Sequence, residues 1–186
     1  MVYATPDDMA TRIRQLFTAA GTRPYAGEAV TQAEHGLQCA ALALEEGASR
    51  QLIVAALLHD IGHMIDDRDE ALAASGVDAQ HELGGARLLT RWFAAATTEP
   101  VRLHVQAKAY LCYADPDYFG GLSPVSKRSL RLQGGIMSEG QAKVFMTAPF
   151  SADAVRLRRW DDLAKIPGRI TPPLERFLRM CAEVAA

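Results

Sequence analysis

Cysteine is scarce in this chain and badly spaced for chemistry. Cys39, Cys112 and Cys181 are odd in number, far apart and never in a CxxC pair. That pattern excludes a disulfide scaffold and a thiolate metal cluster, and reads as small core fillers in a reducing compartment. Charge of one sign is lacking as well. Against 22 acidic residues stand 20 basic ones, a net charge of −2, so no general attraction draws the chain to nucleic acid or to an anionic membrane. No apolar run approaches the length of a membrane span, and the N-terminus shows no basic-then-apolar leader. The expected location is the cytoplasm. Also missing are repeats, low-complexity stretches and the alternating β-branched runs that strands require.

What remains is helix after helix. With 186 residues, 49% of them apolar and 23% charged, the chain is expected to form a single globular domain over 1–186 with a proper core. Thr5-Pro6-Asp7-Asp8 opens a first helix that runs to Gly21. An irregular segment, 22–30, carries Tyr25 and Glu28. Thr31 and Glu34 form a capping box for a helix holding His35 and stopping at Gly47. Ser49 caps the next helix, whose run from Leu52 to His59 is apolar nearly all round and belongs at the centre of a bundle. After a charged, partly looped stretch at 66–76 come helices at 80–93 and 99–113, the second beginning at Pro100. Asp115-Pro116 and Ser123-Pro124 mark further starts, and Gln133-Gly134-Gly135 a stop. Helices from Ser138 to near Pro149, over 150–163 and over 172–184 complete an all-α reading.

Within this pattern one run stands out, Leu57-Leu58-His59-Asp60-Ile61-Gly62-His63. A buried Asp beside a buried His is costly unless something compensates, and a bound cation is the usual compensation. The five histidines are His35, His59, His63, His81 and His104. Each falls on a segment that reads as helix. A lone His on an apolar helical face is more often a satisfied core residue than a ligand. Four separate helices each presenting one, together with a His-Asp pair, point instead to a polynuclear metal site inside the bundle. Neighbouring residues on a helix diverge, so His59-Asp60 needs a helix end or a bridging carboxylate. An Asp can hold two cations about 3.5–4 Å apart. Lys108, one turn after His104, and His63, one turn after His59, share faces with those ligand candidates.

The order H…HD…H…H…D is that of the HD-domain superfamily, and His59 to His63 resembles its HDIG form. The chain is most similar to the phosphonate-degrading HD-domain oxygenases over about 25–165. The similarity rests on Tyr25-Ala-Gly-Glu28, Thr31-Gln-Ala-Glu-His35, His81-Glu82, His104-Val-Gln-Ala-Lys108, Leu132-Gln-Gly-Gly135 and Arg158-Arg-Trp-Asp-Asp162. The HD pair alone is unspecific; the combination is specific.

This resemblance implies an HD-domain bundle with a dinuclear Fe(II)/Fe(III) centre and O2 as co-substrate. His35, His59, Asp60 and Asp161 would hold one iron, with Asp60 bridging to a second held by His81 and His104. Asp161 rather than Asp162 follows from motif alignment; spacing alone leaves both open. The resemblance further implies that His63, Lys108, Ser126 and Gln133 contact a phosphonate. Tyr25 would guard the open iron site until substrate displaces it, and Glu28 would meet a substrate ammonium. The implied reaction is oxidative cleavage of the carbon–phosphorus bond of a 1-hydroxy-2-aminoethylphosphonate or its trimethylated form, giving phosphate and glycine or glycine betaine. The competing expectation is a metal-dependent HD phosphohydrolase attacking a phosphate ester or nucleotide. A regulatory module without chemistry is a third, disfavoured by the intact ligand set. Oligomeric state is open.

Overall fold

The computed structural model describes residues 5–25, 27–65, 72 and 75–186. Among them lie eleven α-helices: α1 (Pro6–Thr18), α2 (Gln32–Glu45), α3 (Arg50–Leu58), α4 (Ile61–Ile65), α5 (His81–Leu89), α6 (Ala95–Ala114), α7 (Tyr118–Gly121), α8 (Pro124–Leu132), α9 (Glu139–Thr147), α10 (Ser151–Leu163) and α11 (Leu174–Val184). The only β-type pairings among the described residues are two isolated bridges, Pro24 with Thr31 and Phe93 with Ala185. No helix among them is long and apolar enough to cross a membrane. The all-α expectation holds. Most of the expected charged stretch at 66–76 lies outside the described residues.

The helix starts follow the local chemistry. Thr5 with Asp8, Thr31 with Glu34 and Ser138 with Gln141 each form the reciprocal pair of hydrogen bonds that satisfies two otherwise orphaned N–H groups. Ser49 and Ser123 cap α3 and α8. Three boundaries differ from expectation. The helix α1 ends at Thr18 and a 3-10 turn over Ala20–Thr22 takes the chain past Gly21. The helix α5 stops at Leu89, and Trp92 and Phe93 instead pair with the C-terminus, Ala186 N–H donating to the Trp92 carbonyl at 2.8 Å. The helix α6 begins at Ala95, a turn and a half before Pro100. Its N-cap, Ala94, has no capping side chain, so only the proline advertised a start. Pro100 lies buried inside the helix and forgoes one backbone hydrogen bond.

At the centre is α3, with every residue from Leu52 to Leu58 buried. It is covered by α2, α6, α10 and α11, and α1 and α11 close the apolar side through Met9, Ile13, Phe177 and Leu178. The long α6 packs chiefly on α10 and α5. Two close approaches require glycine. A Cβ on Gly36 would meet the Leu57 carbonyl oxygen at 2.8 Å, drawing α2 onto α3. A Cβ on Gly62 would meet the His81 carbonyl oxygen at 2.0 Å, and Gly85 sits in turn against the Gly62 backbone. The glycine of the His59–His63 run is therefore the contact that lets the start of α5 lie on α4. Replacing Gly62 by Ala forces backbone apart rather than a side chain, and is expected to cost on the order of 3 kcal/mol. Chemical denaturation should show that loss, together with weakened metal retention because His81 moves with α5.

Candidate metal centre and pocket

The chain breaks its helix where the chemistry needs it to. The helix α3 ends at Leu58, His59 is its C-cap and α4 begins at Ile61. His59 and Asp60 therefore occupy a turn between two helices, and adjacent side chains that would diverge on one helix enter the same space. His35 reaches it from α2, His81 from the first position of α5, His104 from the middle of α6 and Asp161 from the last turn of α10. His81 gets there through Gln80, which adopts left-handed backbone (φ 52°) with no side-chain cap. Such a conformation is uncommon for a non-glycine residue and costs of order 1 kcal/mol.

Asp60 divides the cluster into two poles. Its Oδ2 lies 3.2 Å from His59 Nε2 and 3.5 Å from His35 Nε2. Its Oδ1 lies 3.2 Å from His81 Nε2 and 3.4 Å from His104 Nε2. Asp161 joins the first pole, with Oδ1 3.3 Å from His35 Nε2. Within the poles the ring nitrogens crowd each other: His35 Nε2 and His59 Nε2 are 3.1 Å apart, His81 Nε2 and His104 Nε2 3.3 Å.

The protons on these rings can be assigned from their partners. His35 Nδ1 faces the Ala164 carbonyl at 2.8 Å, His59 Nδ1 that of Ala56 at 2.9 Å and His104 Nδ1 that of Val101 at 2.7 Å. A carbonyl only accepts, so each Nδ1 must donate. That leaves each Nε2 turned toward another ring and toward a carboxylate. Burial pushes His81 down to about 3, reinforced by neighbouring His63, so its ring is neutral. Asp60 Oδ2 is buried and receives no hydrogen bond. Burial alone would raise the Asp60 carboxyl; only positive charge or donated protons beside it, from imidazolium rings or bound cations, hold it well below the usual range. Ring nitrogens and carboxylate oxygens this close need positive charge between them, and the two-pole arrangement fits a pair of metal ions sharing Asp60. Neutral imidazole with carboxylate suits iron, zinc or manganese.

Asp162 takes no part in either pole. It is held by Arg158 and by the Tyr118 hydroxyl. Arg158, itself buried, also donates to Asp161 Oδ2 at 2.5 Å. Burial would raise the Asp161 carboxyl; Arg158, the largest opposing influence, keeps it well below the usual range and ionised. One arginine thus sorts the two adjacent acids, which spacing could not. Cys39, read as a core filler, places its sulfur 3.8 Å from His35 Nε2, one turn along α2. It is fully buried, and burial raises its thiol, so it stays protonated there.

The histidine–aspartate cluster opens into a cavity of about 620 Å³, a size suited to a small ligand. All six residues expected at a substrate, Tyr25, Glu28, His63, Lys108, Ser126 and Gln133, line it. Tyr25 stacks on His35 with ring centroids 3.9 Å apart, and its hydroxyl lies 3.5 Å from Asp161 Oδ1, on the His35 side of Asp60. Burial, with Asp161 and Asp60, holds the phenol well above its ordinary range. His63 stacks on His81 at 3.9 Å, on the other side. Lys108 is buried with Nζ donating to Ser129 Oγ at 2.7 Å, and burial, then Arg158, pulls it down to about 8. Gln133 keeps a buried Oε1 without a hydrogen-bond partner.

Sequence reasoning missed Ser129, Lys165 and the part played by Arg158. Ser129 follows Ser126 by three residues on α8, so the shared face was legible. Arg158 precedes Asp161 and Asp162 by the spacing of helical ion pairs. Lys165 carried no signal: it lies beyond the end of α10, where only the fold turns it into the cavity.

Comparisons with known proteins show the family. The HD-domain family model matches residues 33–109, a span that holds all five histidines and Asp60. The hydroxymethylphosphonate dioxygenase of Gimesia maris is 47% identical over 174 residues, covering 93% of this chain and 86% of that protein. The chain belongs to the HD-domain phosphonate dioxygenase family. Another relative in this family, the [1-hydroxy-2-(trimethylamino)ethyl]phosphonate dioxygenase (glycine-betaine-forming) of Leisingera caerulea, is 39% identical over 165 residues, 89% of this chain and 84% of its own. An uncharacterized protein of Acanthamoeba polyphaga mimivirus is 32% identical over 173 residues, 92% of this chain and 79% of its own.

The two-pole geometry makes a test by metal binding. Adding ferrous iron under argon to metal-free protein is expected to raise Tm. Asp60→Asn, which weakens the donor common to both poles, should remove most of that rise. His81→Ala should cut bound metal to about half, measured by elemental analysis, because it touches one pole only.

Proposed function

We propose that this chain oxidises a small 1-hydroxyalkylphosphonate with O2, releasing phosphate and the carboxylic acid formed from carbon 1. The balance is one substrate and one O2 giving one carboxylic acid and one phosphate, with carbon oxidised and both oxygen atoms retained in the products. The observation that carries this reading is a cluster of metal-competent side chains, split into two poles by Asp60, at the floor of a cavity whose walls hold Lys108, Ser126 and Gln133, in a chain nearly half identical to a phosphonate dioxygenase.

In this reading His35, His59 and Asp161 hold one iron, His81 and His104 the other, and Asp60 both. The iron pair, when bound, supplies the redox chemistry that activates O2 and the Lewis acidity that anchors the substrate's hydroxyl and phosphonate oxygens. The protein's own groups do the rest. Lys108 brings a buried cation to the phosphonate, where partial desolvation strengthens its pull on an anion. Ser126 and Gln133 add neutral donors around it. Ser129 holds the Lys108 ammonium in place through its hydroxyl. His63, stacked on His81, borders the cavity on the side of the second pole. Tyr25 covers the first pole, excludes water before substrate arrives and gives way when it binds. Arg158 keeps Asp161 ionised and aimed. A carbon–phosphorus bond offers no leaving oxygen to a simple water attack, which favours oxidation over hydrolysis as the use of this site. We read 1–186 as one HD domain, acting in the cytoplasm on a free small molecule without nucleic acid or membrane.

Three results test the proposal. Iron-loaded enzyme should release phosphate from a 1-hydroxyalkylphosphonate in air and not under argon; turnover without O2 would indicate a hydrolase. Lys108→Ala should lower kcat/KM by about 10²-fold while bound iron, measured by elemental analysis, stays normal. Because Lys108 loses its charge as pH rises through about 8, kcat/KM should fall on that alkaline limb, and Lys108→Arg should flatten it.

A further inference from the structure

One part of the cavity lining has its own charge pattern. Glu28, in the irregular segment before α2, and Lys165, in the segment after α10, both line it. Lys165 Nζ lies 3.5 Å from Glu28 Oε1 and donates to Ser126 Oγ at 3.2 Å. Both ionic side chains are largely withdrawn from water, at 14% and 18% exposure. Two oppositely charged groups drawn from opposite ends of the sequence thus meet inside the pocket and leave little net charge there.

We infer that Lys165 is a specificity-determining residue: by occupying Glu28 as its counter-ion, it reserves this subsite for a substrate whose carbon-1 substituent is uncharged. This rests on the phosphonate-oxidising function proposed above and narrows its substrate. A carboxylate alone in this position would welcome a substrate ammonium. With Lys165 already beside it, a second cation meets like-charge repulsion in a partly desolvated space, where such repulsion is poorly screened. Glu28 Oε1 is buried and receives no hydrogen bond. Its remaining need is for a neutral donor, a role open to a hydroxyl or a water and not requiring charge. Lys165 also bridges to Ser126, which couples this subsite to the phosphonate-binding wall. A short substrate such as hydroxymethylphosphonate satisfies this arrangement, whereas 2-amino-1-hydroxyethylphosphonate must displace Lys165 from Glu28.

The test is calorimetric titration of iron-loaded enzyme under argon with hydroxymethylphosphonate and with 2-amino-1-hydroxyethylphosphonate. Oxygen-dependent phosphate release from each is followed in parallel. Wild type is expected to bind the uncharged compound at least about tenfold more tightly. Lys165→Met keeps the aliphatic stem and frees Glu28, and should shift that ratio at least about tenfold toward the amine. Lys165→Arg should keep the wild-type preference. Wild type favouring the amine, a ratio unmoved in Lys165→Met, or equal loss of both ligands in that variant overturns the inference while the phosphonate reading stands. Failure of wild type to bind either compound sinks both.

Discussion

The structure depends on one carboxylate. Asp60 is buried among four imidazoles, and each of its oxygens faces a different pair of them. Taking an isolated carboxylate out of water costs several kcal/mol, and neutral imidazoles with their lone pairs turned inward do not relieve it. Cations do. The backbone carbonyls of Ala164, Ala56 and Val101 act at one remove, since by accepting the Nδ1 protons they fix which face of each ring points inward. Much of the surrounding architecture serves the same constraint. The helix breaks after Leu58, Gly62 admits the start of α5, and Gln80 accepts a left-handed backbone one residue before His81.

Around that centre the charges are zoned. Arg158 ties Asp161 and Asp162 to one side, with Tyr118 completing the network. Lys108 hangs from Ser129 on α8, and Lys165 reaches Ser126 on the same helix. The helix α8 therefore carries hydroxyls that position two cations approaching from elsewhere in the fold. A floor of metal-competent side chains with cationic and hydroxyl walls suits a small, highly charged anion better than a nucleotide. That shape connects the family to its chemistry, because the head group supplies the binding energy that aligns a nearly featureless substrate.

Membership in a family leaves substrate identity to the lining. The two named relatives act on substrates that differ in what hangs from carbon 1, one a bare hydroxymethyl compound and the other bearing a trimethylamino group. Both kinds of substrate present the same phosphonate and hydroxyl. On the proposed reading, discrimination comes from the lining that meets the carbon-1 substituent, which we assign to Glu28 and Lys165, 3.5 Å apart.

Periodicity and capping determined the helical order, because the bonds that start and stop a helix lie within four residues and are written in the local sequence. Thr31 with Glu34 and Ser123 with Pro124 were legible for that reason. The ends of α5 and the start of α6 were not: Trp92 and Phe93 are diverted by the distant C-terminus, and Ala94 caps without a side chain. The candidate ligands were legible as residue types, since a His-Asp pair in an apolar run is too costly to be accidental. Seating Ser129 beneath Lys108 and bringing Lys165 to Glu28 belonged to the tertiary structure alone. Those outcomes depend on which groups meet across 21 to 137 residues of chain, as Lys108 meets Ser129 and Glu28 meets Lys165, and no local rule encodes such distances.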